Sequence, residues 1–178
     1  IDGGLNGSLV GCLSAGCGPI NLGPVWYVDS NGDNTSDGSL ETPFETIARA
    51  VNVSSDGDTI RLNPGVYTGF IDFEGKTLVL ESRAFELEDD DIISETFFGP
   101  GPLGGNCFSL EGPDDENITV RGSSFRGGSD PVGGGVVVSN CSPTFETILV
   151  EDNTSEIGGG VYVSNSNSIF KNIEVKNN

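Results

Sequence analysis

Gly133 to Asn153 reads GGGVVVSNCSPTFETILVEDN, and Gly158 to Asn178 reads GGGVYVSNSNSIFKNIEVKNN. Gly133 corresponds to Gly158, and the two blocks agree at 11 of 21 positions. Self-similarity at a fixed period outranks local propensity, because it marks one structural unit stacked on its copy. What is retained follows parity. Val136 and Val138 match Val161 and Val163, whereas Val137 between them becomes Tyr162. Ile148 and Val150 match Ile173 and Val175, whereas Leu149 becomes Glu174. Retention at alternate positions marks a strand with one buried face. Each block therefore reads as a rung of an all-β solenoid, with Val161 stacked on Val136.

The rhythm extends backwards to Phe108–Leu110 and Ile118–Val120. Residues 83–105 break it with an acidic run (Glu86, Glu88, Asp89, Asp90, Asp91) and the stretch GPGPLGG, which together predict an outward excursion. Earlier, Thr59–Leu62, Phe70–Phe73 and Thr77–Leu80 read as short strands punctuated by Asn63-Pro64-Gly65 and Glu74-Gly75. One helix stands out. Thr42-Pro43-Phe44-Glu45 is a capping box with proline at the first helical position, followed by an apolar stripe of Phe44, Ile47, Ala48 and Val51. A lone amphipathic helix ahead of a solenoid would cover the first rung's apolar cross-section and unpaired backbone edge. Trp26–Val28 forms a strand before it. The organisation expected is a Gly-rich arm over 1–24, a capping strand, loop and helix over 25–58, and coils over 59–178 that stay open or continue at the C-terminal end.

Residues 26–82 resemble the N-terminal part of right-handed parallel β-helix proteins with the pectin-lyase-like fold. The matching stretches are WYVDSNGDNTSDGSLETPFETIARAV, then SSDGDTIRLNPGVYTG, then GKTLVLES. The later GGG-led rungs look like those of secreted and surface β-helix repeat proteins, and the resemblance covers roughly residues 25–178. They are also similar to polymorphic outer-membrane protein repeats, although Phe145-Glu-Thr-Ile lacks that family's usual Asn, and Phe170-Lys-Asn-Ile comes nearer to it. The resemblance implies a right-handed β-helix of about four coils. It also implies an internal asparagine ladder, for which Asn153 and Asn178 stand at equivalent positions after the last strand of their blocks.

Composition excludes several functions. With 8 basic against 27 acidic residues the net charge is −19, which repels phosphate backbones and anionic lipid. Nucleic acid is therefore not expected as a partner. No run of about 18 apolar residues exists for membrane insertion. The first residue is Ile and nothing resembles a signal peptide, so a mature or excised chain is expected.

Four cysteines permit three connectivities. Cys12 and Cys17 could close a small loop, and Cys107 and Cys141 could bridge if adjacent rungs bring them together; a buried hydrophobe is the alternative for Cys107. Sequons occur at Asn6, Asn34, Asn52, Asn117, Asn140 and Asn153. They suit an extracellular, secreted glycoprotein, or equally the Asn, Ser and Thr that solenoid turns use; Asn34 and Asn140, in expected exposed turns, are the best glycan candidates, while Asn153 fits the ladder better than a glycan. Asp29, Asn31, Asp33 and Asp37 alternate as in a Ca²⁺ loop. The sixth-position glycine is missing and Leu40 stands where a bidentate Glu belongs, so an Asx-rich turn competes with the metal reading.

The resemblance implies weighing polysaccharide lysis, where acidic Ca²⁺ ligands lie beside an Arg or Lys base. Arg121 and Arg126 near Asp130 are the best such pairing. For hydrolysis, Asp89–Asp91 and Asp114-Asp115 are consecutive, so alternate side chains diverge on a strand. No Ser/His/Asp triad is possible without histidine. The expectation is a non-catalytic structural or adhesive module. The alternatives are the capping region of a polysaccharide lyase or hydrolase, or a carbohydrate-binding module using Tyr162. Self-association or a neighbouring subunit would engage the open end and the N-terminal arm, head to tail in a filament or surface fibre, with polysaccharide a further partner.

Overall fold

The structure, a computed structural model, describes residues 23–68, 70–112 and 117–178. Twelve strands are placed: β1 Val25–Val28, β2 Thr59–Leu62, β3 Gly65–Thr68, β4 Val79–Ser82, β5 Thr96–Gly99, β6 Phe108–Glu111, β7 Thr119–Arg121, β8 Ser124–Arg126, β9 Val136–Ser139, β10 Thr144–Glu151, β11 Val161–Ser164 and β12 Ile169–Lys176. Every pairing between them is parallel. The fold is an all-β, right-handed parallel β-helix.

Three walls result. The first stacks β1-β2-β4-β7-β10-β12, the second β3-β5-β8-β10-β12, and the third β6-β9-β11. The strands β10 and β12 serve two walls because each bends once, at Thr147 and at Asn172, both in the left-handed region (φ 53 and 51). Register along the first wall runs Thr59–Val79–Thr119–Thr144–Ile169. Successive turns of the solenoid therefore take up 20, 40, 25 and again 25 residues. Val161 pairs with Val136, as the repeat requires.

Alternate side chains point inward and stack coil upon coil. Trp26, Ile60, Leu80, Val120, Phe145 and Phe170 form one inner column. Tyr67, Phe98, Phe125, Val150 and Val175 form the second, and Phe108, Val136 and Val161 the third. All are buried except Phe170, Val161 and Val175 on the last coil. Where the columns meet, Phe98, Phe108, Phe125 and Phe145 pack ring against ring at centroid distances of 5.1 to 6.4 Å.

Left-handed residues also stack. Gly122, Thr147 and Asn172 form one corner column, Gly127, Asp152 and Asn177 another, and Gly112, Asn140 and Asn165 a third. Glycine and asparagine suit this conformation; β-branched threonine does not. Thr147→Asn is therefore expected to stabilise the chain by about 0.5–1 kcal/mol, read as a higher urea midpoint at unchanged slope. A fall in the midpoint would remove the strain assigned to that corner.

The head departs from expectation in two places. The helix α1 covers Ile47–Val53, not a span from Pro43, and its N-cap is Thr46, whose Oγ1 accepts from Arg49 N. Phe44 is instead extended: its N–H donates to Tyr27 O, its carbonyl accepts from Asp29 N, and it bridges Val28. The bond to the neighbouring strand edge overrides the local helix-start signal. The buried face of α1 is Ile47, Ala50 and Val51, and Ala48 is exposed. Second, Phe70–Phe73 is not a strand; Gly65–Thr68 pairs with β5 in its place, and Phe70 points outward at 77% exposure. The outer edge of β1 is closed by Tyr27 N donating to Gly38 O and by the two Phe44 bonds. The arm over 1–24 lies outside the described residues except for its last two.

The excursion leaves the rung and lies on the outside of the stack. Two short helices, α2 (Ala84–Leu87) and α3 (Asp91–Glu95), fold back onto the outer walls, α2 against β4 and α3 against β5, β8 and β10.

Candidate functional site

The sequence nominated four groups of residues, and the structure places each. The loop carboxylates do not converge. Asp29 Oδ1 accepts from Asn31 N and its Oδ2 from Asn63 Nδ2 (both 2.8 Å). Asp33 Oδ1 accepts from Thr35 N, and Asp37 Oδ1 from Ser39 N and Thr42 Oγ1. Partial burial pushes the Asp29 carboxyl up, but the bonds from Asn31 and Asn63 outweigh it and hold the pKa below the ordinary value. Each carboxylate closes its own Asx turn. Among the described residues no three acidic or cysteine side chains gather in a metal-holding group.

The Cys107–Cys141 bridge is corrected. Strand register sets Phe108 against Val136, so Cys107 enters β6 at one end while Cys141 follows β9 beyond the other. Disulfide geometry needs Cα atoms within about 7 Å, and the length of strand between these two levels alone spans roughly 10 Å. Cys107 Sγ donates to Asn153 Oδ1, and Cys141 Sγ to Leu110 O, each at 3.2 Å. Cys12 and Cys17 lie outside the described residues, as does Asn6.

Burial pushes the Cys107 thiol up to about 11, against the lowering effect of nearby backbone groups. A thiol so raised stays protonated in the fold, so the stability it contributes is present below the unfolded pKa near 9 and is lost as pH rises toward 11. Native protein at pH 8 is expected to leave Cys107 unmodified by iodoacetamide over hours, with rapid alkylation in denaturant, read by peptide mass. Fast native labelling would contradict its burial.

Of the sequons, Asn52, Asn117 and Asn140 are exposed. Asn34 is half-buried and braces the helix start: its Oδ1 accepts from Glu45 N, Thr46 N and Thr46 Oγ1 at 3.1–3.2 Å. Asn153 is buried and stacked on Asn178. Its Nδ2 donates to Asn178 Oδ1 at 2.8 Å and to Phe125 O at 3.0 Å, while its Oδ1 accepts from Gly128 N. Asn178 Nδ2 in turn donates to Val150 O.

The acid–base candidates lie apart. Arg121 Nε donates to Glu81 Oε2 at 2.7 Å, Arg126 lies 3.7 Å from the Phe97 ring centroid, and Asp130 Oδ1 accepts from Val132 N. Asp89 Oδ1 accepts from Asp91 N, and Asp114 and Asp115 fall outside the described residues. Tyr162 is half-buried on the third wall.

What the sequence reading missed is a charged column on the outside of the first wall. Register aligns Tyr27, Arg61, Glu81, Arg121, Glu146 and Lys171. Glu81 is fully buried between two guanidiniums, taking 2.6 and 2.8 Å bonds from Arg61 at Oε1 and the Arg121 bonds at Oε2. The helix α2 seals this stretch. Tyr27 Oη donates to Glu86 Oε1, Arg83 Nε donates to Glu86 Oε2, and the Arg121 guanidinium stacks 4.5 Å above the Phe85 ring. Burial alone would raise the Glu86 pKa, but the Tyr27 and Arg83 hydrogen bonds and the Arg61 and Arg83 charges hold it below the ordinary carboxylate value. On the second wall a shorter column repeats the alternation: Arg126, Glu151 and Lys176, with Glu151 3.9 Å from Arg126 and 3.4 Å from Lys176. The constant offset from Arg121 to Glu146 to Lys171 was a readable signal. Glu81 sits 20 and 40 residues from its two partners and gave none.

The last coil is the least covered part of the solenoid. Val163, Ile169, Ile173 and Val175 are 39–50% exposed there. Of their equivalents one coil earlier, Val138, Ile148 and Val150 are buried.

Comparison with known proteins adds three findings. Residues 30–72 match a family described as "Protein of unknown function (DUF1565)", a stretch that covers the cap loop, α1, β2 and β3. No curated protein matches the chain. A solved structure titled "Rhamnogalacturonan lyase" is similar at 14% identity and a TM-score of 0.48, over 86% of this chain and 51% of that one. The chain thus spans about half the length of that structure.

Proposed function

We propose that this chain is a non-catalytic β-helix module with a structural or adhesive role outside the cell. One observation carries the reading. Of the eight basic side chains, seven are held against an acidic, aromatic or carbonyl partner. Lys171, the eighth, faces Glu146 in register on the last coil. A lyase needs an unencumbered base beside its substrate; here the candidates Arg121 and Arg126 serve the wall. The exposed sequons at Asn52, Asn117 and Asn140 support a secretory route.

Two measurements test this. Incubation with uronate polymers, with and without Ca²⁺, is expected to yield no unsaturated product ends by ultraviolet absorbance; their appearance would overturn the non-catalytic role. Expression through a eukaryotic secretory pathway is expected to add glycan mass at Asn52, Asn117 or Asn140. An unmodified intact mass would remove the support for an extracellular site.

A further inference from the structure

We infer that a notch between the second and third walls is a binding site for one uncharged sugar ring, which stacks on Phe70 and donates hydrogen bonds to Asp130. This deepens the adhesive role proposed above and rests on it, by naming what the module holds. Three successive coils build the notch. Because β3, β5 and β8 stack in register, the connections that leave them stack too. The first brings Phe70, the second Gly101 to Asn106, and the third Asp130, around a cavity of about 230 Å³ that Ser109 of β6 also lines. The rim is fixed before any ligand arrives: Gly101 bridges Gly104, and Ser129 N donates to Gly105 O at 2.8 Å.

The lining chemistry selects the ligand. Phe70 is 77% exposed and offers a largely bare ring. Asp130 Oδ1 accepts from Val132 N at 3.1 Å, while its Oδ2, the Asn106 amide and the Ser109 hydroxyl have no hydrogen-bond partner among the described residues. All three side chains are half-buried at the cavity. A carboxylate accepts, an amide both donates and accepts, and a hydroxyl does either. Neighbouring hydroxyls of a sugar match that set, and the C–H face of its ring covers an aromatic face as an apolar surface does. An added Cβ at Gly105 would stand 4.0 Å from Asp130 Oδ2, and one at Gly101 or Gly104 meets nothing within 4 Å. Glycine thus leaves the approach to the carboxylate bare.

Other ligand classes fit less well. No lysine or arginine lines the cavity, and Asp130 together with a net charge of −19 repels uronates, sulfates and phosphates. Quaternary ammonium groups are recognised by cages of ring faces. Among the described lining residues Phe70 is the one exposed ring, since Phe108 is only 3% exposed. Drug-sized ligands occupy about 300–1,000 Å³, so this smaller volume takes one ring, as a chain end or a side branch. Affinity through a single ring falls in the millimolar range.

Saturation-transfer NMR on the full chain tests this with the methyl pyranosides of galactose, glucose and mannose, each beside its uronate counterpart, and with choline. At least one neutral glycoside is expected to take saturation at its ring C–H protons and to bind about tenfold more tightly than its uronate. Phe70→Ala is expected to abolish the transfer at unchanged Tm, because Phe70 is largely exposed, whereas Phe70→Trp keeps it. Asp130→Asn is expected to weaken the neutral sugar several-fold and to narrow its lead over the uronate. No transfer to any neutral glycoside overturns the site, as does transfer that survives Phe70→Ala. A uronate that binds as tightly overturns the charge requirement, and choline binding in place of the sugars overturns the sugar reading in favour of an organic cation. The cleavage and glycan-mass measurements use other readouts, so failure here leaves the non-catalytic, extracellular reading to stand or fall separately.

Discussion

Glu81→Ala is expected to destabilise the chain by about 3 kcal/mol, because removing one partner from a buried ionic cluster leaves the others uncompensated. Glu81 is 1% exposed, while Arg61 and Arg121 are 18% and 33% exposed, so both guanidiniums can still reach some water. That places the loss at the lower end of the usual range. In a chain of 178 residues it corresponds to a fall in Tm of roughly 6–12 °C. A triple change, Arg61→Met, Glu81→Leu and Arg121→Met, should recover most of the loss, since well-packed apolar replacements of buried ion clusters are often neutral or better. Urea unfolding of the two variants decides it. If Glu81→Ala costs less than about 1 kcal/mol, the cluster behaves as an ordinary surface pair.

Phe125→Ala is expected to cost about 3–5 kcal/mol, the range for truncating a fully buried aromatic. Phe125 has no exposure and joins the second inner column to the others, stacked on Phe98 (5.2 Å, 13°) and edge-on to Phe108 (5.4 Å) and Phe145 (6.4 Å). Phe125→Leu keeps most of the volume and should cost less than half as much. An Ala variant within about 1 kcal/mol of the parent would mean that the site collapses around the cavity, and the ring cluster would lose its central role.

The fold was legible because the repeat copies a backbone unit, and backbone units stack in parallel whatever their outward residues. Parity alone placed Val136 over Val161 and Ile148 over Ile173. The head was less legible. Thr42-Pro43 carries a local helix signal, yet Phe44 is drawn out by hydrogen bonds to Tyr27 and Asp29, a long-range competitor that no window of sequence contains. The Asp29–Asp37 loop differs: its oxygen-rich spacing reads equally as metal ligands or as turns, and each carboxylate accepts from a backbone N–H two residues on. Cys107 and Cys141 sit near each other in rung number but at opposite ends of a strand, which spacing does not encode. The Glu81 cluster stayed hidden for a different reason. Its two coils differ twofold in length, so its members share no period.

Turns of 20, 40 and 25 residues hold one strand register, so strand pairing is indifferent to how much chain travels between strands. The stretch from Arg83 to Glu95 is already one such insertion, draped on the outside of walls it did not have to build. Selection on that bend is thereby uncoupled from selection on the stack. New surface elements can be gained, traded or erased there while the scaffold beneath keeps its architecture.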